Sequence, residues 1–174
     1  MPNLATAEIY CDVFDRLEQD EVRYVVISGV AVFLHGHVRP IGDLDIAIDP
    51  APDEADRALR ALVRLGFVPS LPLPLSLVSV LRMYDRAQRE VDVFTRYHTP
   101  FNELWAGSER VRVGESIARV ASVEHLLEAK RIKGRAHDLL DIEGLLALKA
   151  KGRNRTTGAT VDGVEREDAG QGAV

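Results

Sequence analysis

Asp43-Leu44-Asp45-Ile46-Ala47-Ile48-Asp49 is the stretch that decides the fold. Leu44, Ile46 and Ile48 share one side of a period-two pattern, Asp43, Asp45 and Asp49 share the other, and Pro50 and Pro52 close the run. This is a strand with one aliphatic and one acidic face. Residues two apart on a strand point the same way at ~3.3 Å per residue, so the Asp43 and Asp45 carboxylates are placed to reach one bound ion.

Upstream, Arg23-Tyr24-Val25-Val26-Ile27-Ser28 is a short apolar run that stops at Gly29, and it predicts a buried strand. A short helix over 30–34 follows it, and the turn between them offers backbone N–H groups to a phosphate. Downstream, the pattern predicts a helix from Asp53 to Leu65 with Ala55, Ala58, Leu59, Leu62 and Val63 inward. After it come a proline-rich loop from Pro69 to Pro74 and strands over Leu75–Tyr84 and Glu90–Thr95. Asp92 is on the last of these strands, opposite Val91 and Val93 in side-chain direction. If this strand adjoins the Asp43–Asp49 strand, three acids converge. Two carboxylates 4 Å apart repel by ~4 kcal/mol at an effective dielectric near 20, so such a cluster calls for protons or cations, and hard oxygen donors suit Mg²⁺.

The remainder reads as a mixed α/β domain. The first helix is expected to turn Ile9, Val13, Phe14 and Leu17 inward. A short helix lies around 101–105, and 110–113 pairs with 116–120 as a hairpin. Ser122 caps a helix that ends at Gly134, and a final helix over 136–148 has Leu139, Ile142, Leu145 and Leu146 inward. The fold class expected is α/β (α+β): a mixed β-sheet flanked by helices with a C-terminal helical hairpin. Residues 1–149 form the domain, and 150–174, rich in Gly and poor in apolar residues, are expected to be a disordered tail.

Composition narrows the function. The chain has 174 residues, 46% hydrophobic and 28% charged, which suits one globular domain with a real core. Lys+Arg 22 against Asp+Glu 27 gives a net charge of −5, which argues against a surface built to coat nucleic acid. Cys11 is the single cysteine, so neither an internal disulfide nor a thiolate zinc cluster can form. No apolar run reaches bilayer length and the first residues lack the order of a signal peptide, so a cytoplasmic protein without a membrane partner is expected. The five histidines show no zinc-ligand spacing, Asp49 beside Pro50 suits a turn cap, and the aromatic residues are too dispersed for a base-stacking platform.

Ile27-Ser28-Gly29, thirteen intervening residues, Asp43-Leu44-Asp45-Ile46 and the later Val91-Asp92-Val93 together resemble the nucleotidyltransferase fold of the DNA polymerase β superfamily. The longer pattern with Val30-Ala31, His35-Gly36 and Arg39 is similar to a minimal bacterial branch that includes abortive-infection (AbiEii-like) toxins. So is Leu126-Leu127-Glu128-Ala129-Lys130 followed by Arg135, Asp138 and Asp141. Two positions depart from the family pattern: Ser28 stands where a glycine is usual, and Ile41 where a threonine is.

The resemblance implies a nucleotidyltransferase that moves a nucleoside monophosphate from an NTP to a hydroxyl acceptor, with release of pyrophosphate. Asp43, Asp45 and Asp92 would be catalytic and hold Mg²⁺, two ions by the family pattern. Ser28, Gly29, Arg39 and Lys130 would bind the nucleotide. The acceptor it allows is a tRNA or other RNA, a protein or a small hydroxylated molecule, and a toxin–antitoxin or phage-defence setting with a cognate antitoxin or toxin protein is one implied context. The alternative is a catalytically weak or inactive protein of the same fold that binds as an antitoxin or partner, motivated by Ser28 and Ile41. An Asp-x-Asp phosphohydrolase ranks below both, because the position four after Asp43 is Ala47, where such enzymes carry Thr or Val.

Overall fold

A computed structural model describes residues 7–158. Seven strands form one sheet: β1 (Tyr24–Ile27), β2 (Leu44–Ile48), β3 (Val68–Pro69), β4 (Val80–Tyr84), β5 (Glu90–Phe94), β6 (Glu109–Val113) and β7 (Ser116–Val120). Their spatial order is β3-β4-β5-β2-β1-β7-β6. β2 and β5 run parallel in the centre, β1 runs antiparallel to β2, β7 pairs parallel to β1, and two antiparallel hairpin pairs complete the edges. The sheet is therefore mixed, as the α/β (α+β) reading requires.

The two central strands explain the period-two pattern. Leu44, Ile46 and Ile48 are buried beside Val91 and Val93, and β2 pairs with β5 so that Asp45 stands opposite Asp92. The side chains of the buried aliphatic face meet Val13, Phe14 and Leu17 of α1 (Cys11–Gln19) and Ala55, Ala58 and Leu62 of α3 (Pro52–Arg64) in a single core. Apolar burial at ~25 cal/mol per Å² is the main force holding this layer on the sheet.

Helix ends follow local chemistry. Pro52 opens α3 at the position where a missing N–H costs nothing, and Asp53 and Glu54 complement its dipole. The Ser122 hydroxyl accepts from the His125 N–H to cap α5 (Val123–Lys133), and Gly134 ends it in the left-handed region at φ 60°. α2 (Ser28–Leu34) contacts α5, which packs along α6 (Ala136–Gly158), giving the C-terminal helical hairpin. A Cβ at Gly144 of α6 would collide with the His37 ring, so the glycine lets the 35–42 loop approach the helix. α4 (Phe101–Ala106) packs near β1.

Several sequence expectations are corrected. The stretch from Leu75 to Tyr84 is not one strand: Leu75–Leu77 is a 3₁₀ turn and pairing starts at Val80. Ile9, Val63, Leu139 and Leu146 are exposed rather than inward: Ile9 lies in a 3₁₀ turn (Glu8–Tyr10) ahead of α1 and so falls off the helical period, and the other three sit at helix positions left largely uncovered. The last helix, expected to end at Leu148, continues to Gly158; residues 159–174 of the expected tail lie outside the described residues. Among the described residues no helix is long and apolar enough to cross a membrane.

Candidate functional site

The acidic ends of β2 and β5 and the β1–α2 turn open on one cavity of about 300 Å³. All seven residues singled out in the sequence line it: Ser28, Gly29, Arg39, Asp43, Asp45, Asp92 and Lys130. So do four that sequence reasoning left aside as site residues: Arg82, Lys133, Arg135 and His137.

The floor is acidic. Asp43, Glu90 and Asp92 bring carboxylate oxygens within 4.8 Å of one another, a grouping that can hold a metal ion. Asp45 is in register with Asp92 across the parallel pair but is not part of that tightest group. Glu90 was not among the expected ligands, although the alternation that pairs Asp43 with Asp45 also pairs Glu90 with Asp92. The Tyr10 hydroxyl fixes the floor by donating toward both the Gly42 carbonyl (3.0 Å) and the Glu90 carbonyl (3.2 Å), tying the loop before Asp43 to β5.

Charge crowding shows at Asp45. Burial, then the Asp43 and Asp92 charges, push its carboxyl up to about 7, against a hydrogen bond from the Ser28 hydroxyl and the Lys133 charge. Arg82 answers the remaining acids from β4, directly opposite Asp92 in the antiparallel pair. Its Nε and Nη2 donate to both Asp92 oxygens at 2.9 and 2.8 Å, and Nε also lies 2.8 Å from Glu90. These forked hydrogen bonds raise the guanidinium above its already high range. The acid cluster thus holds a cationic group of its own.

The opposite wall is basic. Gly29 lets the Arg39 guanidinium lie against the backbone, since a Cβ there would sit 3.3 Å from Arg39 Cζ. Arg39 Nη1 is 2.5 Å from Asp141. Lys130 is only 4% exposed, and its Nζ pairs with Asp138 at 3.0 Å and Asp141 at 2.7 Å. Burial pushes the Asp138 carboxyl up, but hydrogen bonds from Arg135 and Lys130 outweigh it and hold the group far below the usual carboxylate range. Lys130 therefore reaches the cavity with its ammonium already engaged. Lys133, one turn on, lines the same wall and makes no ion pair among the described residues.

Ser28 starts α2 with φ 59°, a left-handed backbone that a glycine adopts without strain. It holds this conformation between a buried strand and a buried helix, with its hydroxyl on Asp45. Other candidates settle into structural roles. Asp49 caps Ala51 N (3.0 Å) and pairs with Arg23 (2.9 Å), and Trp105 stacks under Arg23 and Arg119.

No protein-family model matches the chain, and no curated protein is detectably similar in sequence. Solved structures are similar in fold. A Thermotoga maritima protein (TM1012) described as a candidate nucleotidyltransferase superposes with a TM-score of 0.62 at 17% identity, over 91% of this chain and 96% of that one. The lincomycin-bound lincosamide adenylyltransferase LnuA gives 0.57 at 14% identity, over 78% and 93% of the two chains. ANT(2″)-Ia in complex with adenylyl-2″-tobramycin gives 0.56 at 12%, over 86% and 97%. The chain has the nucleotidyltransferase fold.

Proposed function

We propose that this protein is a magnesium-dependent nucleotidyltransferase that transfers a nucleoside monophosphate from an NTP to a hydroxyl-bearing acceptor. The observation that carries this reading is the division of one cavity into an acidic floor and a basic wall. A metal–triphosphate complex has the same division, cationic where it meets carboxylates and anionic where it meets lysine and arginine.

The donor set fits magnesium, because every candidate ligand is a carboxylate oxygen and two of them already hold a cationic guanidinium. Asp43, Asp45 and Asp92 would hold the metal, with Glu90 beside them. Magnesium bound there would neutralise charge on the transferring phosphoryl group and acidify the acceptor hydroxyl. The chain's own residues do the rest. Ser28, Gly29 and Arg39 face the phosphates from the β1–α2 side, and Lys133 faces them from α5. Lys130, through Asp138 and Asp141, holds that wall in place. In the reaction the acceptor oxygen bonds to the α-phosphorus, the bond to the β-phosphate bridge breaks, pyrophosphate leaves with the electron pair, and the hydroxyl proton passes to a carboxylate of the floor. Acceptor-modifying enzymes of this fold, such as LnuA and ANT(2″)-Ia, make a small molecule the first acceptor class to try.

Transfer of label from α-³²P NTP in the presence of Mg²⁺ tests the proposal. Asp45→Asn is expected to lower transfer by on the order of 10³-fold, as loss of a transition-state charge contact does, with an unchanged circular dichroism spectrum. Equal labelling by wild type and variant would remove the enzyme reading. A second reading, a partner-binding protein of this fold without turnover, draws on Arg82, which ties up Glu90 and Asp92, and on the strained Ser28. NTP binding that does not depend on Mg²⁺, without transfer, is what that reading expects.

A further inference from the structure

Beyond the acid cavity a second one, of about 420 Å³, continues along the sheet, and Phe94 lines both. Ala47 follows Asp45 on the same face of β2, as Phe94 follows Asp92 on β5, so the second cavity extends the acidic face of the two central strands. Its walls are Ala47, Phe94, Pro100, Phe101 and Leu104. Tyr97 packs edge-on against Phe94, with ring centroids 6.3 Å apart. Burial, then the Asp45 and Glu128 charges, raise the Tyr97 phenol, which places this ring within the electrostatic reach of the acid floor.

Two polar features stand out in this apolar lining. Thr99 is 5% exposed and its Oγ1 is buried with no hydrogen-bond partner, whereas the neighbouring Thr95 hydroxyl donates to the Val78 carbonyl. An unpaired buried hydroxyl is destabilising, and a bound polar group offsets that cost. Arg96 is the one charged residue of the lining, and no carboxylate belongs to it. The lining itself thus offers a polycationic guest a like charge and no carboxylate, the acids of the floor lying beyond Phe94.

We infer that this cavity is the acceptor subsite, and that it takes a small hydroxylated molecule with a flat apolar body and no positive charge, hydrogen-bonded by Thr99 and attracted by Arg96. The inference rests on the nucleotidyltransferase reading for the acceptor's role. It adds the acceptor's chemistry: the apolar body lies against Phe94 and Phe101, and a hydroxyl points past Phe94 toward Asp45 and Asp92. Pockets of this size and lining, with a few convergent polar groups, are the usual form of small-molecule sites.

The probe is 4-methylumbelliferyl β-D-glucuronide, which joins a flat ring to an anionic, hydroxylated sugar, with binding read by fluorescence anisotropy. Tobramycin serves as polycationic competitor, and ATP with Mg²⁺ is titrated separately by calorimetry. The glucuronide is expected to bind and tobramycin not to displace it. Thr99→Val, nearly isosteric, is expected to weaken binding about fivefold or more, as loss of one hydrogen bond does. Ala47→Phe, which fills the cavity, is expected to abolish it. No glucuronide binding, displacement by tobramycin, or equal affinity in both variants overturns the inference. ATP binding accompanied by any of those results overturns the subsite alone. Glucuronide binding without ATP binding removes the nucleotidyltransferase reading and the acceptor role with it.

Discussion

Asp45 stands opposite Ile27 of β1 on one side and Asp92 of β5 on the other, and it accepts a hydrogen bond from a serine held at φ 59°. Both features cost the folded chain stability. The Asp45 carboxyl titrates near 7 in the folded protein and near 3.8 ordinarily, so between those values the folded chain binds a proton that the unfolded chain has released. Metal-free stability therefore falls as pH rises from about 4 to 7 and stays low above. A rise of this size caps the effect near ~4 kcal/mol, and relaxation with residual solvent reduces it to about 2. Asp45→Asn is accordingly expected to raise the melting temperature by several degrees at pH 8 in EDTA and to give no gain at pH 4.5. A variant less stable than wild type at pH 8 would contradict the charge crowding described for the floor. At Ser28 two effects oppose each other. Glycine relieves ~1–2 kcal/mol of backbone strain but returns ~0.5–1 kcal/mol through a freer unfolded chain, and it deletes the hydroxyl on Asp45. Ser28→Gly is expected to change the melting temperature little while moving the Asp45 titration upward by NMR; an unmoved titration would show that the hydroxyl does not contact the carboxylate.

At the scale of elements, the α5–α6 hairpin separates two lysines that look alike in the sequence. Lys130 and Lys133 are one turn apart, and both line the cavity, but α6 presents Asp138 and Asp141 only to the first. Breaking a buried pair by removing one partner costs ~3–5 kcal/mol, because the other charge is left buried. Asp138→Ala leaves Lys130 with Asp141 as its remaining carboxylate partner, so only part of that cost is expected, a melting temperature lower by several degrees. Lys133→Gln is expected to leave it unchanged while weakening NTP binding by about tenfold. The reverse pattern would make Lys130 the phosphate contact and Lys133 incidental. This division was not legible from the chain alone, since which face of α5 is covered depends on how α6 crosses it. The exposed Leu139 and Leu146 have the same origin: helical period gives an apolar stripe, and packing decides how much of it is covered. The acid strand was legible because its period-two pattern, its aliphatic partners and its proline stop all agree, and the same alternation contained Glu90 unread.

Across the whole molecule, the site depends on contacts distant in sequence. Arg82 meets Asp92 and Glu90 only because β4 and β5 pair in one register, and Arg39 meets Asp141 only because the loop after α2 reaches α6. Residue pattern showed that acids and cations existed and where the turn lay; the pairing between them is a property of topology. That pairing has a consequence for the folded state as a unit. Arg82 is 47% exposed along its side chain, so its ion pairs contribute little, on the order of 1 kcal/mol or less. A divalent cation held by the same carboxylates would bind the folded chain alone and stabilise it by mass action, by about 2.7 kcal/mol at a hundred times its dissociation constant. Wild type is expected to melt roughly 5–10 °C higher in 10 mM Mg²⁺ than in EDTA. Arg82→Gln leaves Glu90 and Asp92 uncompensated, so it is expected to melt lower than wild type in EDTA and to show a larger magnesium increment, because the guanidinium no longer competes with the ion. Differential scanning fluorimetry across a magnesium series reads both quantities. Melting curves that ignore magnesium in wild type and variant alike would mean that the carboxylates of β2 and β5 are held by arginine alone, and that they form an ion-pair network of the sheet.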